Sequence, residues 1–304
     1  MKTNLLFTLF GIGILALVIL GMQSDYQDVS KLETHIDLAY YIGPDADPDK
    51  HKLDLYLPEN KASAPILLWI HGGAWVTGSR KQEAALAKNL VAKGVGVAVM
   101  SYRLSKGTWM NPDFQGTAQH PDHIQDCARA FKWLRDQAAT YGYDPSQLFV
   151  GGYSAGGHLS ALLCMDEQYL KAEGLQFSDV KGAVPMAGAY DMVHYYNGHV
   201  ESNGKEMADA HVLGVFGDLA DVKKASPTEY IDHSIVPMLV ISETDTYDLT
   251  KVLEEQVPDK KHIEFYHVRD KNHNELYFDL VRNPESEHTQ KIADFLFHLT
   301  SGGE

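Results

Sequence analysis

Short apolar runs alternate with amphipathic stretches along most of the chain. HKLDLYLP (51–58) alternates apolar and polar positions, as a half-buried strand does. APILLWI (64–70) and GVGVAVM (94–100) are continuous apolar runs, the pattern of strands covered on both faces. QLFVGG (147–152), GAVPMAG (182–188), VPMLVIS (236–242) and HIEFYHV (262–268) repeat that character. Between them, RKQEAALAKNLVAKG (80–94) predicts a helix stopped by glycine. PDHIQDCARAFKWLRDQAATYG (121–142) opens on proline and sets Ile124, Ala128, Phe131 and Leu134 on one face, and EHTQKIADFLFHLTS (287–301) predicts a last helix. Strand, helix, strand, helix predicts an α/β fold, a mostly parallel central sheet with helices on both faces. The long polar and aromatic stretches 104–120 and 190–230 interrupt this alternation and are expected to form a small cap or pocket wall.

Composition changes this picture in two places. At 304 residues and 44% apolar content the chain suits one large α/β domain. Its formal charge of −15 repels phosphate backbones, so nucleic acid is excluded as an expected partner. The uncharged run LLFTLFGIGILALVILGM (5–22) follows a weakly basic lead and meets polar residues. It predicts a signal peptide or an N-terminal membrane anchor over residues 1–24. The single domain then occupies 25–304, exported to the periplasm, secreted, or tethered to a membrane. Cys127 and Cys164 both fall in predicted helices; pairing and two separate buried thiols both remain open.

Candidate chemistry centres on FVGGYSAGGHLSALL (149–163), where a strand-like run breaks around one serine and resumes as a helix. Gly152-Tyr153-Ser154-Ala155-Gly156 fits G-x-S-x-G between a predicted strand and a predicted helix. Such a turn crowds its neighbours, and glycines two positions either side relieve the crowding. The serine is then presented at the helix N-terminus, where developing negative charge is favoured. WIHGGAW (69–75) follows another apolar strand, and its glycines let the N–H groups of Gly73 and Ala74 face a pocket, with Ala155 supplying a further donor for an oxyanion. A serine nucleophile needs a histidine and an acid, which follow such a turn in the order acid, then histidine. SETDTYDL offers Glu243, Asp245 and Asp248 after one strand, and RDKNHNELYF offers His273 after the next. Asp245 is the chosen acid, a few residues past its strand, with Glu243 second and Asp248 assigned to the start of a helix. His71 is expected to make structural hydrogen bonds at the start of its loop, His158 to pack, His262 and His267 to belong to or border the last strand, and His288 to face solvent. Metal binding through His194 and His199 is a weaker alternative, and no metal or organic cofactor is expected.

WIHGGAW (69–75), SYRL (101–104), the long stretch 120–163, ASPTEY (225–230) and the SETD and KNHNE loops together resemble the α/β-hydrolases. The likeness is to the esterase branch that includes hormone-sensitive lipase, carboxylesterases and kynurenine formamidase, and it spans roughly residues 50–300. Two positions depart from that pattern: Ala74 stands where many relatives have a third glycine, and S-E-T-D replaces the commoner H-G-x-x-D. The resemblance implies Ser154 as nucleophile, His273 as base, Asp245 as its partner, and oxyanion donors from Gly73, Ala74 and Ala155. It also implies a serine carboxylesterase acting through an acyl-enzyme on small esters, with acetyl or feruloyl esters of carbohydrates among the candidates. An arylformamidase-like amide hydrolase is the alternative on the same machinery, and a non-catalytic binding protein is the alternative of another class. Trp75, Trp109, Tyr153, Tyr190, Tyr195 and Tyr196 are the candidate pocket aromatics.

Overall fold

The computed structural model describes residues 32–108, 110–233, 235–257 and 262–302; the apolar run at 5–22, the proposed leader and Trp109 lie outside the described residues. The strands are β1 (Glu33–Ala39), β2 (Lys52–Leu57), β3 (Ile66–Ile70), β4 (Gly96–Met100), β5 (Leu148–Tyr153), β6 (Gly182–Met186), β7 (Met238–Ser242) and β8 (Ile263–His267). They form one sheet in the order β1-β2-β4-β3-β5-β6-β7-β8. β1 and β2 pair antiparallel, as do β2 and β4, and the remaining pairs are parallel. Every residue of β3, β4, β5, β6 and β7 is buried. Successive side chains of a strand point to opposite faces, so both faces of the sheet are covered, as the continuous apolar runs require.

The longer helices are α1 (Ala84–Val91), α2 (Asp122–Tyr141), α3 (Ala155–Met165), α4 (Met192–Asn203), α5 (Leu219–Lys224), α6 (Tyr247–Gln256), α7 (His273–Arg282) and α8 (Glu287–Thr300). α2 and α3 pack on each other and on the central strands, while α7 and α8 pack against α1. β1 went unrecognised because its edge position leaves ETHIDLA only partly buried, without an apolar run. The 190–230 stretch folds as α4, a series of short helical turns and α5. Cys127 on α2 and Cys164 on α3 are both free and buried, so they form no disulfide, and burial pushes both thiols well above their ordinary range.

The SYRL stretch ties the end of β4 to α2. Arg103 donates to the buried Asp126 through its side chain at 2.8 Å and through its backbone N–H at 3.0 Å, and His51 meets the same carboxylate at 2.9 Å. Strand register then sets the level of the carboxyl-terminal loops. Ile70 pairs with Gly152, Tyr153 with Met186, Met186 with Ile241, and Ser242 with His267. The loops leaving β3, β5, β7 and β8 therefore open at one edge of the sheet, where α/β proteins place ligands.

Candidate active site

Ser154 sits between β5 and α3 with φ 57° and ψ −116°, a conformation that non-glycine residues rarely adopt. Its N–H donates to Met186 O at 2.9 Å and its carbonyl accepts from His158 N at 3.0 Å, so both sides of the turn are pinned. The flanking glycines are required by contact. A Cβ on Gly156 would lie 2.0 Å from Ile70 O, and one on Gly152 would lie 2.5 Å from the same oxygen. Gly156→Ala is accordingly expected to cost at least the roughly 1–3 kcal/mol of an overpacked site, because backbone on both sides must move. Urea unfolding of the variant measures that loss.

The loop after β3 lies against this turn, and a Cβ on Gly72 would come within 2.9 Å of Tyr153 O. Gly73, Ala74 and Trp75 all take positive φ, at 112°, 51° and 62°. Gly73 O accepts from both Val76 N and Thr77 N at 3.0 Å, and in a trans peptide this turns the Ala74 N–H the opposite way, out of the loop's own hydrogen bonds. Among the described residues nothing accepts from those two N–H groups. Ala155, as the first residue of α3, likewise has an N–H without an intrahelical acceptor. His71 is fully buried, stacks on Tyr102 with centroids 4.3 Å apart, and donates from Nδ1 to Gly72 O at 2.6 Å. Burial lowers its pKa to about 3, so the imidazole stays neutral and serves the loop as a hydrogen-bonding brace.

His273 opens α7 instead of lying in a loop, with Asn272 as the capping residue. The Asn272 side chain accepts from Asn274 N and Glu275 N, and Glu275 accepts in return from Asn272 N at 2.9 Å. Tyr153 O–H donates to His273 O at 2.7 Å, tying the histidine to the residue before Ser154. The imidazole Nδ1 meets Glu243 Oε1 at 2.9 Å. Asp245, the acid expected from sequence, does not contact the ring: its Oδ2 accepts from the backbone N–H of His273 at 3.1 Å. The reason is position. Glu243 follows the last residue of β7 and is enclosed, whereas Asp245 lies further out on the loop and is exposed. Asp248 falls in the first turn of α6, as expected.

Glu243 is well satisfied. Its Oε1 also accepts from Thr246 O–H at 2.8 Å, and its Oε2 accepts from Asp245 N. Burial raises its pKa, but the hydrogen bonds from His273, Asp245 and Thr246 outweigh it and hold the carboxyl below its ordinary value. The Glu243 side chain is 0% exposed while that of His273 is 30% exposed, so the ring is buttressed on one side and open on the other.

That open side is a cavity of about 760 Å³ lined by Gly73, Ala74, Ser154, Ala155 and His273. Trp75, Tyr153 and Tyr195 of the expected aromatics also line it. Tyr190 is buried outside the lining, and Tyr196 instead donates to Asp209 Oδ1 at 2.7 Å. Trp75 is boxed in by Phe216 at 4.9 Å, His158 at 5.3 Å and Tyr195 at 6.0 Å between ring centroids, which fixes the ring in the cavity wall. His158 donates from Nε2 to Ala225 O at 2.8 Å and so links α3 to the ASPTEY stretch. His288, expected in solvent, is 1% exposed and lies beneath Tyr266, because α8 turns this face to the sheet. His199 lines the cavity and His194 is exposed; among the described residues no group of three His, Cys, Asp or Glu side chains is placed to hold a metal ion.

Comparison with known proteins finds esterases among its relatives. Over 134 residues the chain is 37% identical to a probable carboxylic ester hydrolase, LipM, of Mycobacterium tuberculosis, covering 42% of this chain and 28% of that protein. It is 30% identical to the esterase LipQ of the same organism over 59% of this chain and 41% of that protein. It is 28% identical to a probable isoprenylcysteine alpha-carbonyl methylesterase of Oryza sativa over 48% of this chain and 34% of that protein. The matched part thus spans well under half the length of these relatives. Among solved structures, esterase B of Lactobacillus rhamnosis superimposes with a TM-score of 0.72 at 21% identity, covering 96% of this chain and 93% of that one. A truncated carbohydrate esterase from gut microbiota superimposes with a TM-score of 0.65 at 20% identity, covering 90% of this chain and 98% of that one. The fold is that of an α/β-hydrolase, as the strand pattern and motifs predicted. Residues 53–250 match the BD-FAE family model, a stretch of well over half the chain, and the chain belongs to the BD-FAE family.

Proposed function

We propose that this protein is a serine carboxylesterase that hydrolyses small carboxylic esters. One observation carries the reading. A strained serine and a histidine held by a buried carboxylate line the same cavity, beside backbone N–H groups that no protein acceptor uses. Ser154 is the nucleophile, and His273 takes its proton on the ring nitrogen facing the cavity. Glu243 holds the imidazole with its proton on Nδ1 and stabilises the imidazolium that forms, so the triad is Ser-His-Glu. The N–H groups of Gly73, Ala74 and Ala155 bind the oxyanion, helped by the N-terminus of α3. His273 then protonates the leaving alcohol, and water, activated by the same histidine, releases the acyl group.

Support for ester chemistry comes from the esterase and ester-hydrolase names of the relatives. The aromatic box around Trp75 favours a short acyl chain, since lengthening it demands displacement of buried rings. The apolar run at 5–22 supports export or N-terminal anchoring. The test is a panel of p-nitrophenyl esters, acetylated and feruloylated sugars and N-formylkynurenine, run beside fluorophosphonate labelling. Acetyl and butyryl esters should be cleaved faster than octanoyl esters by roughly tenfold or more, as lost fit of a few methylenes implies. Labelling that does not map to Ser154, or preference for the formamide, overturns the reading.

A further inference from the structure

One buried carboxyl beside the cavity takes no part in this mechanism. Glu83 closes the short helical turn Arg80–Glu83 that follows the glycine loop, and it is 2% exposed although it lines the cavity. It has no cationic partner among the described residues. Its Oε2 accepts from Trp69 Nε1 at 3.1 Å, and its Oε1 accepts from Tyr277 O–H at 3.0 Å. Trp69 precedes the glycine loop on β3 and Glu83 follows it, so the first bond straps the two ends of the loop together. Tyr277 lies one helical turn beyond His273 on α7, so the second bond joins that loop to the helix carrying the base.

Further contacts stiffen the same connection. Tyr277 packs on Tyr153 with ring centroids 5.4 Å apart, and Tyr153 donates to His273 O. At the far end of α7, Asn89 of α1 donates to Leu280 O at 2.9 Å and Val281 O at 3.2 Å. We propose that Glu83 is a positioning residue for the reaction: its carboxyl locks the oxyanion loop to the His273 helix and so fixes the distance between oxyanion donors and base. The inference rests on the serine-hydrolase reading of this site.

The alternative is that Glu83 merely satisfies two buried donors. The two differ in whether kcat follows the contact, and the charge of Glu83 supplies a handle on it. Burial raises the Glu83 pKa to about 7, and the bonds from Tyr277 and Trp69 only partly offset it. The titratable groups facing it are Tyr277 from α7 and Tyr102 from the segment after β4. Arg80 on its own turn is committed to Asp54 and Asp37, and Arg282 lies over Phe278. As a carboxylate Glu83 accepts from both donors; once protonated it becomes a donor itself, and the charge-assisted bonds from Trp69 and Tyr277 weaken or, at Tyr277, reverse. Protonation of Glu83 therefore weakens the lock.

The test compares Glu83→Ala, Glu83→Gln and Tyr277→Phe. A misplacement of about 1 Å at the oxyanion loop costs up to roughly 10²-fold, so Glu83→Ala should lose about that factor in kcat with KM changed less than about threefold. Glu83→Gln, which keeps an acceptor for one donor, should recover to within about tenfold of wild type, and Tyr277→Phe should fall about tenfold. The acid limb of the wild-type kcat/KM profile should contain two ionisations and that of Glu83→Gln only one. The proposal is overturned if Glu83→Ala and Tyr277→Phe keep kcat within threefold, or if Glu83→Gln retains both ionisations. Melting temperature separates this from failure of the hydrolase reading. A raised carboxyl pKa makes the folded state lose stability as pH climbs from about 4.5 through about 7. Glu83→Gln should therefore gain on wild type as pH rises from about 4.5 to about 7 and hold that gain above it, whether or not Ser154 reacts with a fluorophosphonate. A pH-independent difference overturns the proposed titration of Glu83.

Discussion

Replacing Ser154 with alanine is expected to lower kcat for p-nitrophenyl acetate by at least about 10³-fold, with the fold intact. The size of the effect follows from the role proposed for the serine. Without Oγ no acyl-enzyme forms, and His273 has no nucleophile at the strained turn from which to take a proton. What survives is the oxyanion loop and the cavity, which still bind the ester and polarise its carbonyl for slow attack by water. KM should therefore move far less than kcat. Stability should move little, or rise, because the φ of 57° belongs to the turn and alanine inherits it while losing only a hydroxyl. The readout is steady-state hydrolysis beside thermal unfolding and fluorophosphonate labelling. Turnover within tenfold of wild type overturns the assignment of Ser154.

The second large effect separates two neighbouring acids. Glu243→Gln is expected to reduce kcat by roughly 10³–10⁴-fold, whereas Asp245→Asn should stay within about tenfold. An amide at 243 can turn its NH₂ toward Nδ1 of His273 and favour the tautomer whose proton faces Ser154, which disables the base. It also removes the negative charge that stabilises the imidazolium. Asp245 holds only the backbone N–H of His273, and an asparagine carbonyl accepts that bond equally well. The reverse outcome, with Asp245→Asn the damaging change, overturns the Ser-His-Glu assignment. The two variants also differ in acid stability. The Glu243 pKa is held below its ordinary value of 4.5, so its ionised form contributes stability above that pH, and the contribution is lost as pH falls through the lower folded value. The stability gap between wild type and Glu243→Gln should therefore close in the acid range below about 4.5, which pH-dependent urea unfolding follows.

The difference between these acids marks what local pattern carries. The buried strands were legible because a strand covered on both faces must be continuously apolar, as ILLWI and GVAVM are. The serine turn was legible because its glycines answer to contacts so close that no side chain is tolerated. His273 was legible because it follows the last strand. These features depend on a residue's own backbone or on immediate neighbours.

Choosing between Glu243 and Asp245 depended on something else. Both stand in the loop after β7, and residue type and spacing allow either. The outcome rests on which side chain is enclosed when the loops of β7 and β8 meet, where Thr244 N donates to Lys271 O at 3.1 Å and seats Glu243 beneath the ring. The burial of His288 and the pairing of Glu83 with Tyr277, far apart in the chain, are decisions of the same kind. The sequence alone determined the buried strands of the sheet, the serine turn, the glycine loop and the place of His273, because local sterics and burial pattern specify them. Only the tertiary structure decided which carboxylates meet His273 and Tyr277, because a charge acts through distance and enclosure and neither exists until the chain has closed.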